Sequence, residues 1–568
     1  MKTLLEQVKS LREAVRLDEA EALLLRALDA APQSRALYLE LASIYVACGD
    51  HTSAIASLEV ARSEIGDDFE LLFHLGTHYR TIGNHEAALD AFLQALRREP
   101  EHPGLIKGVG AALLDLQRPA EAIQFFRAAQ QKLPNDVQTL NLLGSAAVGL
   151  ELFELAETSF LRVTQLAPEL ADPYVNLGYI RELLGDTEGS IRYCTEALAV
   201  NPLHFRGRFN RASLYDQTLQ SELARREYGI LLSQVPHAQE VRHNLGLLAL
   251  RCNRLREGWD NYQWRNMRYN FDRGYLGWTP QTPRLPVDLA GQTLQLLGEQ
   301  GLGDELFFLR WLPLLRELGA RTVFHPRNAR LLPLLEQLDC IDQLAPPIST
   351  LQLQPANQYF IGDLPYLLLD RHGQAYPPSL RLSSDPQWTT RLRAQRFGGL
   401  PARPCIGLTW RAGMVMEGKV AERHKLLTKN VPLDRLLDLM APLDVNVVIL
   451  QRDPTPAELE HVEARLGRTV LQAWDLASDL QATLAVLDLL DDVVGVSNTN
   501  LHLRAALGKT ALVLVPRPPE FRWLEHGNHS PWFPGFGVFR ETYAQGWDEA
   551  LQALAEVLQQ RYAPRLPG

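Results

Sequence analysis

The chain has 568 residues, 46% of them hydrophobic, so it can build several domains with complete cores. Its formal net charge of -10 argues against a nucleic-acid partner, because affinity for nucleic acid comes largely from clustered Lys and Arg. Five scattered cysteines without zinc-type spacing, a charged N-terminal segment and the lack of a long apolar run predict a cytoplasmic protein without a transmembrane segment.

The chain repeats with a period of 34 residues from its start to about residue 265. A proline closes most blocks, with Gly66 in its place once: Pro32, Pro100, Pro134, Pro168, Pro202 and Pro236. A small residue recurs twelve positions earlier: Ala20, Ala54, Ala88, Ala122, Ala156, Ser190, Ala224 and Gly258. Another recurs at the eighth position: Ala42, Gly76, Gly110, Gly144, Gly178, Ala212 and Gly246.

This spacing resembles the tetratricopeptide repeat (TPR), in which each block forms two antiparallel helices that approach closely at the small residues. The resemblance implies an all-α solenoid of about eight repeats over residues 1–268, with a concave groove that binds a protein or peptide.

The sixth position of the last three blocks is asparagine, at Asn176, Asn210 and Asn244. An asparagine amide can donate to and accept from the backbone of an extended peptide without reading its side chains. The series resembles the peptide-holding asparagines in the superhelix of O-GlcNAc transferase, which implies an acceptor-peptide site. Alternatively, each asparagine bonds a neighbouring helix.

A proline-bearing connector, 269–291, cannot continue the helical array. From residue 292 onward short apolar runs such as LQLL, TVF, CIGLT, NVVIL, VVGV and ALVLV alternate with helical patterns. This alternation predicts parallel sheets covered by helices, arranged as two Rossmann-like lobes over 292–402 and 403–568.

A glycine-rich turn follows the first of these runs, in LGEQGLGDEL. The dinucleotide fingerprint needs a third glycine where this chain has Leu306, which argues against NAD. The later segment ALGKT lacks the first glycine of a P-loop, since Leu503 occupies that position.

Together with motifs in the second lobe, the turn resembles the heptosyltransferase-like branch of the two-lobed GT-B glycosyltransferases, over about residues 290–545. The resemblance implies that Asp304 is the base that deprotonates the acceptor hydroxyl, and that Gly301 and Gly303 lie against the donor. Alternatively, or in addition, Asp304 caps the helix that follows.

In the second lobe the resemblance implies that Lys429, shortly before a proline and a helix, pairs with the donor diphosphate, and that Arg411 reaches the same anion. It also implies a phosphate site at a strand–turn–helix segment formed by Ser497, Asn498, Thr499, Asn500 and His502. The family usually has Asp-Thr where this chain has Ser497-Asn498, which puts the hydrogen bonds to the donor in doubt.

The reaction so implied is inverting transfer of a sugar from a nucleotide-diphosphate sugar to a hydroxyl group. The site motifs contain no D-x-D carboxylate cluster, so we expect no metal and no other cofactor. The repeats suggest a protein acceptor, as in O-GlcNAc transferase and in bacterial repeat-bearing transferases that act on flagellin or other surface proteins.

Two alternatives remain at this point. The chain could be a TPR scaffold whose transferase-like half is inactive, or a transferase whose acceptor is a lipid-linked or polysaccharide glycan.

Overall fold

The computed structural model describes residues 2–266, 268, 284–347, 358–372, 375–413, 428–473, 478–543 and 545–563. Residues 269–283 of the predicted connector lie outside these ranges. The chain forms two compact units, Met1–Gly207 and Arg208–Gly568. The predicted domain ends at residues 268, 291 and 402 stay predictions.

Residues 2–262 fold into a series of α-helices joined by short turns. In chain order they are α1 (Lys2–Glu13), α2 (Leu17–Ala30), α3 (Arg35–Ala47), α4 (His51–Ile65), α5 (Phe69–Thr81), α6 (His85–Arg98), α7 (Pro103–Asp115), α8 (Pro119–Lys132), α9 (Val137–Gly149), α10 (Phe153–Leu166), α11 (Ala171–Leu183), α12 (Thr187–Val200), α13 (Phe205–Gln217), α14 (Ser221–Gln234), α15 (Gln239–Arg251) and α16 (Leu255–Tyr262). The predicted all-helical repeat array is therefore confirmed.

The prolines of the 34-residue period stand just after the second helix of their pairs. For example, α6 ends at Arg98 and Pro100 follows, while α12 ends at Val200 and Pro202 follows. Because proline cannot donate a helical hydrogen bond, it ends the pair and lets the next helix turn back.

The small residues at the eighth position lie where paired helices approach most closely. A Cβ atom added to Gly110 would stand 2.7 Å from the ring of Phe126, and one added to Gly144 would stand 2.7 Å from the ring of Phe160. Both aromatic side chains are buried, so glycine at these positions makes room for the core of the repeat.

The second unit continues from α13–α16 into two parallel sheets. The first sheet has the strand order β3-β2-β1-β4. Its strands are β1 (Thr293–Leu297), β2 (Arg321–His325), β3 (Gln343–Leu344) and β4 (Gln358–Phe360). The helices of this region are α17 (Leu302–Phe308), α18 (Leu312–Glu317), α19 (Leu332–Leu335), α20 (Leu364–His372) and α21 (Pro386–Leu392).

The second sheet is also parallel, with the order β12-β11-β10-β5-β8-β9. Its strands are β5 (Cys405–Thr409), β8 (Asn446–Ile449), β9 (Leu471–Gln472), β10 (Asp492–Val496), β11 (Leu512–Val515) and β12 (Gly537–Arg540), and a separate antiparallel pair is β6 (Arg411–Gly413) with β7 (Thr428–Asn430). The helices here are α22 (Leu433–Met440), α23 (Pro456–Leu466), α24 (Leu480–Leu489), α25 (Thr499–Ala506) and α26 (Asp548–Tyr562). The predicted parallel sheets are confirmed.

An aromatic core joins the last repeat helix to the first sheet region and to the segment after β11. The ring of Trp259 on α16 lies 6.3 Å from that of Phe308, 6.0 Å from that of Trp532 and 5.7 Å from that of Phe521. Edge-on contacts of buried rings stabilise such a junction beyond the apolar area they bury. This core lies directly beneath the glycine-rich turn, because Phe307 and Phe308 belong to α17.

Candidate functional site

The glycine-rich turn connects β1 to α17, and Gly301 is the residue that caps the helix. The Oδ2 atom of Asp304 accepts a hydrogen bond from the backbone N–H of Gly301, at 3.3 Å. The capping interaction considered from the sequence is therefore present. It fixes the carboxylate at the start of α17, where the helix dipole also favours a negative charge.

The other carboxylate oxygen of Asp304 forms an ion pair with the guanidinium of Arg522. Arg522 is buried, and its guanidinium carbon lies 4.6 Å from the ring centre of Phe307. Burial opposes its charge, but the carboxylates of Asp304 and Glu520 raise the pKa of Arg522, so it stays a cation. Asp304 thus sits between a backbone donor and a fixed positive charge.

The turn packs against α25, which carries the predicted phosphate-binding residues. A Cβ atom added to Gly303 would stand 3.1 Å from Cδ2 of His502 and 3.7 Å from Oγ1 of Thr499. The structure therefore brings together two segments that lie about 200 residues apart in the chain. No larger side chain fits at Gly303 without displacing the His502 ring.

Lys429, the middle residue of β7, lies next to the start of α25. Its Nζ atom donates to the backbone carbonyl of Ser497 at 3.2 Å and lies 2.6 Å from Oε1 of Glu520. The hydroxyl of Ser497 donates to the other oxygen of Glu520 at 2.7 Å. Burial alone would raise the pKa of Glu520, but Lys429 and Arg522 lower it to about 2.

The start of α25 is organised by Asn498. Its side-chain oxygen accepts from the N–H of Asn500 at 3.0 Å, and its amide donates to Oγ1 of Thr409 at 3.1 Å. The amide of Asn500 reaches the carbonyl of Leu450 at 3.5 Å. Asn498 therefore caps the helix and ties it to the end of β5.

Arg411 has its own carboxylate partner. Its guanidinium lies 2.8 Å from Oε2 of Glu458 and donates to the carbonyl of Asp453 at 2.9 Å. Burial alone would raise the pKa of Glu458, but Arg411 lowers it to about 2. An anion would have to compete with Glu458 for Arg411.

His502 is buried beside the turn, and its ring lies 5.3 Å from that of Phe533. Burial first, and then the charges of Arg522 and Arg310, lower the pKa of His502 well below its usual value. The ring is therefore neutral near pH 7, where it can take part in hydrogen bonds but cannot neutralise a phosphate.

The three predicted peptide-binding asparagines are half-buried on the first helices of their pairs. Asn176 lies on α11 in the first unit, and its side-chain oxygen accepts from Arg206 at 2.9 Å. Asn210 on α13 and Asn244 on α15 belong to the second unit. A contact to the neighbouring helix, as considered from the sequence, is thus present at Asn176.

The sequence did not indicate Glu520 and Arg522 as site residues. Both stand in the aromatic segment EFRWLEHG, and they point their charges to Lys429 and Asp304 respectively. Charged residues interleaved with buried aromatic ones were the available signal, because a buried charge needs a partner. Their partners could not be identified without the fold.

Within the described residues, no group of three or more His, Cys, Asp or Glu is placed to hold a metal ion. Among the same residues, no helix is long and apolar enough to cross a membrane.

Comparison with known proteins supports the repeat assignment. The tetratricopeptide repeat model matches residues 5–68 and 73–137, and a second model of the same repeat matches residues 171–202. Tetratricopeptide arrays present a concave surface to other chains, so a protein-binding role for the first half is supported.

One relative spans most of the chain. Protein FlbA of Caulobacter vibrioides is 25% identical over 523 residues, which cover 84% of this chain and 82% of FlbA. The match supports a bacterial protein that carries tetratricopeptide repeats.

Other similarities are shorter. The cell division cycle protein 16 homolog of Mus musculus is 27% identical over 160 residues, which cover 27% of this chain and 26% of that protein. A solved tetratricopeptide repeat protein from Parabacteroides merdae is 18% identical, with a TM-score of 0.36, over 41% of this chain and 92% of its own.

Proposed function

We propose that the chain is a GT-B glycosyltransferase that moves a sugar, with inversion, from a nucleotide-diphosphate sugar to a hydroxyl of a protein held by the repeats. The observation that carries this proposal is the packing of the Asp304 turn against α25, next to Lys429. This packing places the Asp304 carboxylate, which can accept a proton, beside the start of α25 and the Lys429 ammonium, which can both bind a phosphate.

In this reaction the acceptor oxygen attacks the anomeric carbon while its proton passes to Asp304. A new carbon–oxygen bond forms as the bond from the anomeric carbon to the donor phosphate breaks, and the nucleoside diphosphate leaves with the electron pair. Lys429 and the N–H groups at the start of α25 stabilise the charge that gathers on this leaving group. No step requires a metal, so turnover persists in excess chelator.

Arg522 serves as a positioning residue for the base. Its ion pair and the N–H of Gly301 hold the two oxygens of Asp304 from two sides. Preorganised geometry of this kind lets the carboxylate meet the acceptor hydroxyl without first reorienting.

The experiment measures sugar transfer after calorimetric titration of UDP, GDP, ADP and CMP has selected the donor nucleotide. Asp304→Asn keeps the size of the side chain and removes its basicity, so we expect turnover to fall by about 100-fold or more with donor binding retained. Lys429→Ala weakens nucleotide binding instead. The matched control is Glu336→Gln, an exposed carboxylate of the same sheet region; equal turnover in Asp304→Asn and this control contradicts the proposal.

The acceptor is tested with the combined change of Asn176, Asn210 and Asn244 to alanine. Loss of backbone-directed amides raises the KM for the protein acceptor and leaves nucleotide binding unchanged. Activity on a glycan with none on protein would instead favour the polysaccharide or lipid-linked acceptor.

A second candidate is a protein-binding scaffold with an inactive transferase-like half. It is favoured by one observation: Asp304, Lys429 and Arg411 are each already paired with an oppositely charged side chain. This candidate predicts that none of the four nucleotides binds and that no sugar is transferred.

A further inference from the structure

Glu520 uses both of its carboxylate oxygens at the place where the proposed donor phosphate would bind. Oε1 lies 2.6 Å from Nζ of Lys429, and Oε2 accepts from the hydroxyl of Ser497 at 2.7 Å. An ammonium and a hydroxyl at a helix start are the groups that protein sites commonly offer to a phosphate.

Both side chains of the pair are partly exposed to solvent. The side chain of Lys429 is 14% exposed and that of Glu520 is 22% exposed. Glu520 stays ionised throughout the physiological range, because its pKa is about 2. The charge of Lys429 is therefore neutralised by the protein itself whenever no other anion occupies the site.

Glu520 is held by a short turn rather than by a regular element. Trp523 donates its N–H to the carbonyl of Glu520 at 3.0 Å, which closes the turn over Phe521–Trp523. Rotation about the Glu520 side chain alone would withdraw the carboxylate from Lys429, so an incoming anion can displace it without unfolding the turn.

We propose that Glu520 is an internal counterion that occupies the phosphate positions of Lys429 and Ser497, and that the diphosphate of the donor displaces it on binding. This inference rests on the proposed function for the location of the phosphate site. Glu520 therefore weakens anion binding, because an incoming diphosphate must break the ion pair between Glu520 and Lys429 before it can pair with Lys429 itself.

The test is calorimetric titration of inorganic pyrophosphate into the full chain and into Glu520→Gln, which has nearly the same shape and no charge. We expect the variant to bind pyrophosphate about tenfold more tightly, which corresponds to about 1.4 kcal/mol. Glu549→Gln makes the same change of net charge at an exposed position of α26, and its affinity should equal that of the unmodified chain.

A double-mutant comparison shows whether the effect passes through Lys429. In the Lys429→Ala background, adding Glu520→Gln should no longer tighten pyrophosphate binding, because the cation for which the two anions compete is gone. Glu520→Asp, which shortens the side chain by one carbon, should give an intermediate affinity and serves if the glutamine variant does not fold.

Unchanged or weaker binding in Glu520→Gln overturns the inference, as does equal tightening in the presence and absence of Lys429. The outcome is separable from that of the proposed function. Tighter pyrophosphate binding without any sugar transfer supports the counterion and refutes the transferase, whereas transfer that depends on Asp304, with unchanged pyrophosphate affinity, does the reverse.

Discussion

At the scale of single residues, Gly303 shows how tightly the turn is packed against α25. A Cβ atom there would lie 3.1 Å from the His502 ring, whereas one at Gly301 would meet only an oxygen of Asp304, at 3.4 Å. The two glycines belong to the same short motif, but only Gly303 faces a buried neighbour.

We predict that Gly303→Ala destabilises the chain by about 1–3 kcal/mol and lowers transfer activity, because the buried ring must shift away from the turn. Gly399→Ala, the control at an exposed turn glycine where an added Cβ would meet no atom within 4 Å, should change stability by less than about 0.5 kcal/mol. Thermal unfolding and turnover of both variants test this. Equal stability of the two variants would show that the turn has room to relax.

Asp304 and Arg522 differ in how far the sequence could predict them. Asp304 follows from a local pattern, a glycine-rich turn between an apolar run and a helix. Arg522 lies 218 residues away in the chain, and its pairing depends on how the last segment folds over α17. Local spacing carries no information on such a contact, so the ion pair appeared only with the structure.

At the scale of elements, long periodic segments were predictable and short ones were not. The second helix of most repeats ends near a proline of the 34-residue period, and the strands from LQLL to ALVLV stand where apolar runs predict them. Unlike the fully buried four-residue strands β8 and β11, strands β3 and β9 have only two residues each and β12 has four that are mostly half-buried, so none of these three shows a continuous apolar run. These strands lie at or next to the edges of their sheets, where few side chains are enclosed on both faces.

A pair of histidines lies between α4 and α5 in the repeat array. Nδ1 of His51, at the start of α4, lies 3.4 Å from Nδ1 of His78, which is buried on α5. Burial, together with His74 and His51, lowers the pKa of His78 to about 4. A neutral His78 ring can lie this close to His51, whereas a positive charge on both rings would drive them apart.

Because the pKa of His78 is lower in the folded state than the usual value of about 6.5, the unfolded chain binds more protons between these values. The contribution of His78 to stability is therefore complete above about pH 6.5 and decreases as pH falls toward 4. We predict that His78→Gln reduces the drop in melting temperature between pH 7 and pH 5. His529→Gln, at an exposed site, should leave that drop unchanged; an equal drop in all three proteins contradicts the assignment.

At the scale of the whole molecule, the 34-residue period extends past the boundary between the two compact units. The period continues to about residue 265, but the second compact unit begins at Arg208 and includes α14–α16 with both sheets. The two do not coincide because a 34-residue pattern reflects the pairing of helices within the array. It carries no information on the surface against which the last helices pack.

Buried charges tie the end of the array to the first sheet region. The guanidinium of Arg265 donates to both oxygens of Glu299 at 2.7 Å and to Asp363 at 2.8 Å. Arg268 donates to the second oxygen of Asp363 at 2.9 Å. All four side chains are buried, so removal of the arginines would leave two carboxylates enclosed without these cations.

We predict that a fragment of residues 203–568 unfolds cooperatively, whereas a fragment of residues 269–568 does not. The shorter fragment lacks Arg265 and Arg268, a loss of about 3–5 kcal/mol for a broken buried pair, and lacks Trp259, a further loss of about 3–5 kcal/mol for an aromatic core residue. Together these approach the whole stability of a typical domain, about 5–15 kcal/mol.

Calorimetric melting of the two fragments provides the measurement, with Arg256→Gln in the longer fragment as the control for an exposed arginine on α16. That variant should melt like its parent, because its ion pair with Asp370 is exposed and such pairs contribute little. If the fragment that begins at 269 melts as sharply as the longer one, the aromatic core around Trp259 and the Arg265 ion pairs are dispensable. The sheets would then fold independently of the array, and the boundary would lie where the period ends.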